Sequence, residues 1–272
     1  MCDHCVIENV KERMLSRRDL LKAAPVVATA AVVGIGSAPS SLAQGVSQVI
    51  DMTYVIDEAF PTWFGPPGIK ANQVFNFKEN GFNVFSLEVQ EHTGTHIDAP
   101  LHFSADGQAV DEIPVENLIC PLCVVDIREK AASDNEAQVT PDDLKAWISA
   151  HGDIPQGACV AMNSGWQAHV SSPKFRGVDA DDVRHYPGFH VEAAKMMIEE
   201  TGAVAIAVDT LSLDIGSTKT FDTHYAWLPT NRYGIENLAN LDKVPAAGAT
   251  LIVGAPSHRG GSGGPARILA LV

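Results

Sequence analysis

The sequence predicts an α/β fold, a single domain with a mixed β-sheet core and flanking helices. The chain has 272 residues, of which 46% are hydrophobic, and this is enough to build one large core. Short runs rich in valine, isoleucine and alanine alternate with longer segments that carry helix-starting and helix-ending residues. This alternation is typical of an α/β domain, and no repeat or linker-like stretch interrupts residues 44–272.

The N-terminal segment is predicted to be an export signal. Arg17 and Arg18 precede an apolar, alanine-rich run of about 14 residues that contains Pro25, a pattern that resembles a twin-arginine signal. The run is shorter than the roughly 20 residues that cross a bilayer, which disfavours a stable membrane anchor. We therefore expect a signal peptide over residues 1–43, a mature domain over residues 44–272, and a periplasmic or extracellular location.

The first predicted element of the mature chain is a β-hairpin. The stretches Gln73–Lys78 and Phe82–Gln90 are extended and rich in aromatic residues. The pair Asn80 and Gly81 between them favours a tight turn.

The core strands are predicted from short apolar runs. Their length and their valine and isoleucine content are typical of strands buried on both faces. The runs are Leu122–Ile127, Ala158–Met162, Ala203–Val208, Thr250–Val253 and Arg267–Val272. Cys120 and Cys123 stand where the first of these strands begins, so we expect them to be buried core residues.

Two helices are predicted between these strands. Thr140 supplies an N-cap and Pro141 a first helical residue for a helix that ends near His151, before Gly152. A second helix is predicted over His190–Thr201, with Gly202 as its stop. Its predicted core contacts are Ala194, Met197 and Ile198.

Composition excludes several classes of function. Nineteen basic residues against 33 acidic ones give a formal charge of −14, so nucleic-acid binding is not expected. The glycine-rich stretch Gly260–Gly264 does not precede the Lys-Ser/Thr pair of a phosphate-binding loop. Ser164 lacks the Gly-x-Ser-x-Gly context of a serine hydrolase. These features leave a small molecule as the expected partner.

One segment concentrates metal-binding side chains. Three histidines and a carboxylate lie within eleven positions: His92, His96, Asp98 and His102. Gly94 and Pro100 argue against a helix here and favour a loop beside a strand. In an extended stretch His96 and Asp98 point the same way, and a turn at Gly94 lets His92 fold back beside them. Imidazole and carboxylate groups in this pattern indicate a site for zinc, manganese or iron(II).

This segment resembles the metal-dependent cyclase family, which includes bacterial kynurenine formamidases and isatin hydrolases. The family signature His-x-Gly-Thr-His-x-Asp-x-Pro-x-His matches at every fixed position from His92 to His102. The resemblance extends through the segments around His224 and Glu236 and through Gly261–Arg267, and it spans Val49 to the C-terminus.

The resemblance implies a fold and a set of site residues. The fold is the family's swivelling β/β/α type. The metal is zinc or manganese, one or two ions, held by His92, His96, Asp98, His224 and Glu236, with Asp98 bridging when two ions bind. His102 matches the catalytic histidine. Trp63 matches an aromatic wall against the substrate, although it could equally be a core or interface aromatic. The family also implies a homo-oligomer, a dimer or higher.

Three functions remain open at this point. The first is metal-dependent amide hydrolysis of an aryl formamide such as N-formylkynurenine, with His102 as general acid and base. The alternative is ring opening of a lactam or lactone of the isatin type. The third is a non-catalytic protein that binds a metal or a small acid, which the presence of His102 disfavours. Formamidases of tryptophan breakdown are usually cytoplasmic, so an export signal leaves the physiological substrate open.

Overall fold

The structure is a computed structural model and describes residues 45–272. The predicted signal peptide over residues 1–43 lies outside the described residues. The described chain contains two compact units, Lys70–Glu88 and a larger one made of residues 45–69 and Val89–Val272. Within these residues no helix is both long enough and apolar enough to cross a membrane.

The described residues form strands and helices that alternate along the chain. The strands are β1 (Val49–Asp51), β2 (Ile69–Phe75), β3 (Val84–Val89), β4 (His96–Asp98), β5 (Ile119–Asp126), β6 (Gln138–Val139), β7 (Cys159–Asn163), β8 (Gly188–Phe189), β9 (Ala205–Val208), β10 (Tyr233–Glu236), β11 (Ala249–Gly254), β12 (Gly263–Pro265) and β13 (Arg267–Leu271). The α-helices are α1 (Phe77–Asn80), α2 (Arg128–Ser133), α3 (Pro141–His151), α4 (Val191–Glu200) and α5 (Asp222–Trp227). The predicted mixed α/β fold is therefore confirmed.

A nine-stranded mixed sheet forms the framework of the larger unit. Its order is β1-β13-β11-β5-β7-β9-β10-β4-β12. The neighbours from β5 to β10 are parallel, and all other neighbours are antiparallel. The central strands β7 and β9 are buried at every residue, as predicted. The prediction of two buried faces was wrong for β11 and β13, which contain partly exposed residues because they lie nearer the end of the sheet.

The two faces of the sheet support two apolar clusters. Leu122 and Val124 of β5 belong to one cluster, whereas Cys123 and Val125 belong to the other. This division follows from the alternation of side chains along a strand. Helices α3 and α4 pack on the second face through buried residues such as Leu144. Cys120, Cys123 and Cys159 are free and buried, as expected of core residues.

The helix boundaries follow from local hydrogen bonds. The backbone N–H and the hydroxyl of Thr140 both donate to Asp143 at the start of α3. His190 lies outside α4 and caps it, because its side chain accepts a hydrogen bond from Glu192. The helix also ends one residue earlier than predicted, and Gly202 follows its C-cap Thr201 rather than capping it. A Cβ on Gly202 would lie 2.0 Å from the amide end of the Gln156 side chain, which would have to shift to make room for it.

The hairpin prediction is confirmed in its pairing and wrong in its turn. Strands β2 and β3 form a two-stranded sheet. Their connection is the single helical turn α1, because the Asn76 side chain caps it and Gly81 ends it at a φ of +80°. The expected tight turn is therefore replaced by a capped helix.

One residue joins an end strand of the large sheet to the strand beside its other end. Strand β12 ends at Pro265 and β13 begins at Arg267, although β12 is one end strand and β13 lies beside the other. The intervening Ala266 donates its backbone N–H to the Thr95 carbonyl. The sheet must therefore bend enough for its two ends to meet beside β4.

Candidate metal centre

The predicted motif is shaped by a tight turn followed by a short strand. Gly94 has a φ of +66°, and a Cβ there would lie 2.2 Å from the Ile56 side chain. Only glycine adopts this conformation without strain. The turn brings Nδ1 of His92 to 2.7 Å from Oδ1 of Asp98. Strand β4 then places His96 and Asp98 on the same face, as the sequence predicted.

The sheet register adds a second carboxylate. Antiparallel pairing of β4 with β10 sets Glu236 opposite His96. Nε2 of His96 lies 3.3 Å from an oxygen of Asp98 and 3.3 Å from an oxygen of Glu236. Nε2 of His224 lies 3.3 Å from the other oxygen of Glu236 and 3.6 Å from Asp98. All four side chains are buried, so their charges interact with little screening by water.

Asp214 orients His224 at the start of α5. Its carboxylate accepts the backbone N–H groups of Thr223 at 2.8 Å and of His224 at 3.2 Å. It also lies 2.5 Å from Nδ1 of the His224 ring. Because Nδ1 is occupied in this way, Nε2 is the ring nitrogen that faces Asp98 and Glu236.

The other two histidines are held in the same manner. Nδ1 of His96 lies 2.9 Å from the carbonyl oxygen of Gly94, and Nε2 of His92 lies 3.2 Å from Oγ of Ser262. Each ring therefore has one nitrogen bonded to the surrounding protein and one nitrogen directed at the carboxylates. Metal-binding histidines in proteins characteristically show this arrangement.

The donor atoms fit a divalent cation. Nε2 of His96 and Oδ2 of Asp98 are fully buried and make no hydrogen bond of good geometry with any residue that the structure describes, an arrangement that is costly for polar atoms. One ligand atom from each of His92, His96 and Asp98 lies within 4.8 Å of the others, and the same holds for Asp98, His102 and His224. These are nitrogen and oxygen donors of the kind that zinc and manganese accept.

The electrostatics of the cluster also favour a positive charge. Burial opposes a charge on His96, but the carboxylates of Asp98 and Glu236 outweigh it and raise its pKa to about 10. Burial alone would raise the pKa of Asp98, but the surrounding imidazoles of His224, His92 and His96 hold it well below its usual range. The buried carboxylate of Asp98 therefore remains ionised and attracts a cation, either a proton or a metal ion.

His102 lies between the ligand cluster and the adjoining pocket. Its ring stacks on His92 with the centroids 3.9 Å apart. Burial, opposed in part by Asp98, lowers the pKa of His102 to about 4, so the imidazole is neutral at pH 7 and can accept a proton. Its position suits either the predicted acid–base role or a role as a further ligand.

An aromatic pocket of about 280 Å³ opens onto the cluster. Trp63, Phe103 and Phe221 form much of its wall. The Trp63 carbonyl accepts a hydrogen bond from Arg184 at 2.8 Å, and the Arg184 guanidinium lies 3.9 Å from the Trp63 ring centroid. The predicted substrate wall is thus held in place by a cation–π contact and by hydrogen bonds.

All seven residues predicted for the site lie together in the structure. They are Trp63, His92, His96, Asp98, His102, His224 and Glu236. Their individual roles as ligands, base and substrate contact stay predictions. Sequence reasoning missed Asp214, Phe103 and Phe221. The two phenylalanines adjoin predicted segments, being next to His102 and three residues before His224, and that proximity was a usable signal.

The serine considered as a nucleophile lies in a different environment. Oγ of Ser164 donates to the buried carboxylate of Asp209 at 2.6 Å, and Asp209 also accepts the backbone N–H groups of Ser164 and Trp166. A serine nucleophile requires a base that takes its proton, usually a histidine. Ser164 instead anchors the loops after β7 and β9.

Comparisons with known proteins show which proteins this chain resembles. The model of the family Cyclase ("Putative cyclase") matches residues 50–215. An isatin hydrolase from Roseibium aggregatum is 31% identical over 264 residues, covering 90% of this chain and 98% of that protein. A kynurenine formamidase from Salinibacter ruber is 27% identical over an alignment that covers 80% of this chain and 95% of that protein.

Among solved structures, isatin hydrolase A from Labrenzia aggregata matches with a TM-score of 0.77 and 32% identity over 83% of this chain and 93% of that one. An isatin hydrolase bound to the product analogue thioisatinate matches with a TM-score of 0.77 and 30% identity over 83% of this chain and 92% of that one.

Proposed function

The chain belongs to the cyclase family, and from that premise we propose that it is a metal-dependent hydrolase of amide bonds in small aromatic substrates. The observation that carries the proposal is the set of buried, unpaired donor atoms of His96 and Asp98 at the base of an aromatic pocket. The family relatives are hydrolases, which supports an enzyme rather than a binding protein.

In this proposal, different residues of the chain bind the metal and transfer the proton. His92, His96, Asp98, His224 and Glu236 would hold one or two ions of zinc or manganese. A bound divalent ion supplies Lewis acidity, which acidifies water and polarises a carbonyl group. The neutral ring of His102 accepts the proton of the attacking water and returns it to the leaving nitrogen. The stacking of His102 on His92 keeps the acid–base group in contact with the ligand cluster.

The pocket favours an uncharged aromatic substrate over a charged one. Within the part of the chain that the structure describes, no lysine or arginine lines it. A substrate carboxylate placed against the aromatic wall, away from the proposed ion, would lose its hydration without gaining a cationic side chain. Isatin is a neutral, planar lactam, whereas N-formylkynurenine carries an amino-acid carboxylate and ammonium group. We therefore place lactam ring opening first and aryl formamide hydrolysis second, the latter supported by the kynurenine formamidase relatives.

A metal-replacement assay with both substrates tests the proposal. The protein is stripped with a chelator, reloaded with Mn²⁺ or Zn²⁺, and assayed against isatin and N-formylkynurenine, with His102→Ala as the matched inactive control. We expect turnover that the chelator removes and one ion restores, with isatin hydrolysed faster. Faster formamide hydrolysis would reverse the order of substrates, and no turnover of either by metal-loaded protein would overturn the proposal.

Two further expectations belong to this proposal. We propose that the chain is exported by the twin-arginine route and works as a homo-oligomer, as the signal-like N-terminus and the family resemblance imply. Fractionation of the native host with Arg17→Lys and Arg18→Lys as the control variant tests export. Light scattering of the purified protein tests the oligomer.

A further inference from the structure

The glycine-rich stretch Gly260–Gly264 packs directly against the ligand motif. Gly263 pairs with Asp98 in the β12–β4 register, and a Cβ there would lie 2.3 Å from the Ile97 carbonyl oxygen and 3.1 Å from the His92 ring. The backbone carbonyl of Ser262 accepts the Ala99 N–H at 2.9 Å. The stretch therefore forms the wall behind His92, and its glycines allow the close approach.

Ser262 connects this wall to two neighbouring side chains. Its Oγ lies 2.5 Å from Oε2 of Glu91 and 3.2 Å from Nε2 of His92. Its backbone N–H also points at the Glu91 carboxylate, at 3.2 Å and 3.3 Å from the two oxygens. His258 approaches the same carboxylate at 2.7 Å. Three groups therefore hold the Glu91 carboxylate: the Ser262 hydroxyl, the Ser262 backbone N–H and the His258 ring. Of these, the Ser262 hydroxyl also contacts His92.

The hydrogens available to Ser262 and Glu91 determine which atom donates in each of these contacts. A serine hydroxyl has one hydrogen, and an ionised carboxylate can only accept. The short contact therefore requires Ser262 to donate to Glu91, which leaves Oγ as an acceptor toward His92. Nε2 of His92 must then carry a hydrogen. Nδ1, 2.7 Å from Asp98, is the nitrogen left to bind a cation, either a proton or a metal ion.

We infer that Glu91 and Ser262 are positioning residues that fix the tautomer and the ring orientation of His92 for metal binding. The inference rests on the proposed metal site and extends it to residues that no metal contacts. Glu91 orients the Ser262 hydroxyl, the hydroxyl orients the imidazole, and the imidazole presents Nδ1 to the ion. The partner of a ligating histidine is typically worth 10- to 100-fold in metal affinity.

Metal affinity and histidine tautomer test this inference together. The purified chain is stripped of metal, and its Mn²⁺ and Zn²⁺ dissociation constants are measured by competition with a chromophoric chelator. We expect Ser262→Ala to weaken binding by roughly 10- to 100-fold, and Ser262→Thr, which keeps the hydroxyl, to stay within a few-fold of wild type. Nitrogen-15 NMR of the metal-free chain should show a hydrogen held on Nε2 of His92 in the wild type and a mixture of Nε2-protonated and unprotonated rings in Ser262→Ala.

Two more variants separate positioning from folding. Glu91→Ala leaves Ser262 in place on a partly exposed side of the site, and we expect it to weaken metal binding in the same direction. The matched control is Asp111→Ala, which removes the acceptor of the Gly260 N–H from the same glycine-rich stretch without touching His92. We expect the control to bind metal as the wild type does.

The outcomes distinguish failure of the proposed metal site from failure of the positioning role alone. If the wild type binds neither ion, the proposed function fails and this inference fails with it. If the wild type binds but Ser262→Ala and Glu91→Ala bind equally well with an unchanged tautomer, only the positioning role is overturned. An equal loss in Asp111→Ala would also overturn it, because the effect would then come from loop packing.

Discussion

Replacing Asp214 with alanine should destabilise the fold and weaken metal binding at the same time. The carboxylate accepts three hydrogen bonds, from the backbone of Thr223, the backbone of His224 and the His224 ring. Asp214 is 4% exposed, so water cannot readily replace it. Each buried donor left without a partner costs about 1–3 kcal/mol, which sets the expected loss at about 3 kcal/mol or more. For a domain of this size that corresponds to a fall in melting temperature of roughly 6–12 °C.

Thermal unfolding of the metal-free protein measures the first effect, and chelator competition measures the second. Metal affinity should fall by roughly 10- to 100-fold, because Nε2 of His224 is no longer directed at the site. Asp222→Ala is the matched control, since Asp222 begins the same helix but is exposed. An Asp214→Ala variant that melts and binds metal like the wild type would show that the three hydrogen bonds contribute nothing to orientation or stability.

Three further predictions follow from other features of the site. Asp98→Ala should lose metal and activity together. His102→Ala should keep its metal and lose roughly 10²- to 10⁴-fold in turnover. If His102→Ala also lost its metal, His102 would be a metal ligand. Gly94→Ala should lower the free energy of unfolding by about 2 kcal/mol or more, because the positive φ of Gly94 and its contact with Ile56 both oppose a Cβ. In denaturant titrations, adding Ile56→Ala should restore part of that loss. Burial raises the pKa of Asp209 to about 6, against hydrogen bonds from Ser164 and Trp166 that lower it. The folded state therefore holds a proton that the unfolded state releases, and stability should fall by at most about 3 kcal/mol as the pH rises from 4 to 6. Asp209→Asn should flatten that slope in melting curves recorded across the range, and an unchanged slope would assign it to another group.

The parts of the site that the sequence predicted are those encoded within one short segment. His92, His96 and Asp98 lie close together because a glycine turn and a three-residue strand act over seven positions. The conformational preferences of neighbouring residues are enough to predict contacts within so short a segment. Glu236 and His224 came from the family resemblance, because their approach to His96 depends on the pairing of β10 with β4 across the sheet.

The residues that support the ligands could not be found in this way. Ser262 meets His92 across 170 positions, and nothing in a glycine-rich stretch distinguishes a supporting hydroxyl from an ordinary loop serine. Asp214 is one of 33 acidic residues, and only the fold shows that it caps α5 and binds the ring of His224. Contacts between distant segments depend on strand order, which composition and spacing do not encode.

The errors in the fold prediction have two different causes. An apolar run predicts a strand, but its exposure depends on its neighbours, so β11 and β13 were expected to be as buried as β7. The hairpin turn depended on Asn76, whose side chain stabilises a helical turn that the Asn-Gly pair alone does not indicate. Strand order therefore decided the exposure of β11 and β13, whereas the nearby cap at Asn76 decided the turn.

The joining of β12 to β13 through Ala266 has a consequence for the order in which the protein matures. A ribosome makes the chain from its N-terminus, and β12 and β13 follow every other described strand of the sheet along the chain. Until then β4, the strand that carries His96 and Asp98, has β10 as its one neighbour, and β11 has no partner on its β13 side. Unpaired strand edges of this kind invite aggregation. The strand that carries His96 and Asp98 therefore gains its second neighbour only after the other strands of its sheet, apart from β13, have been made.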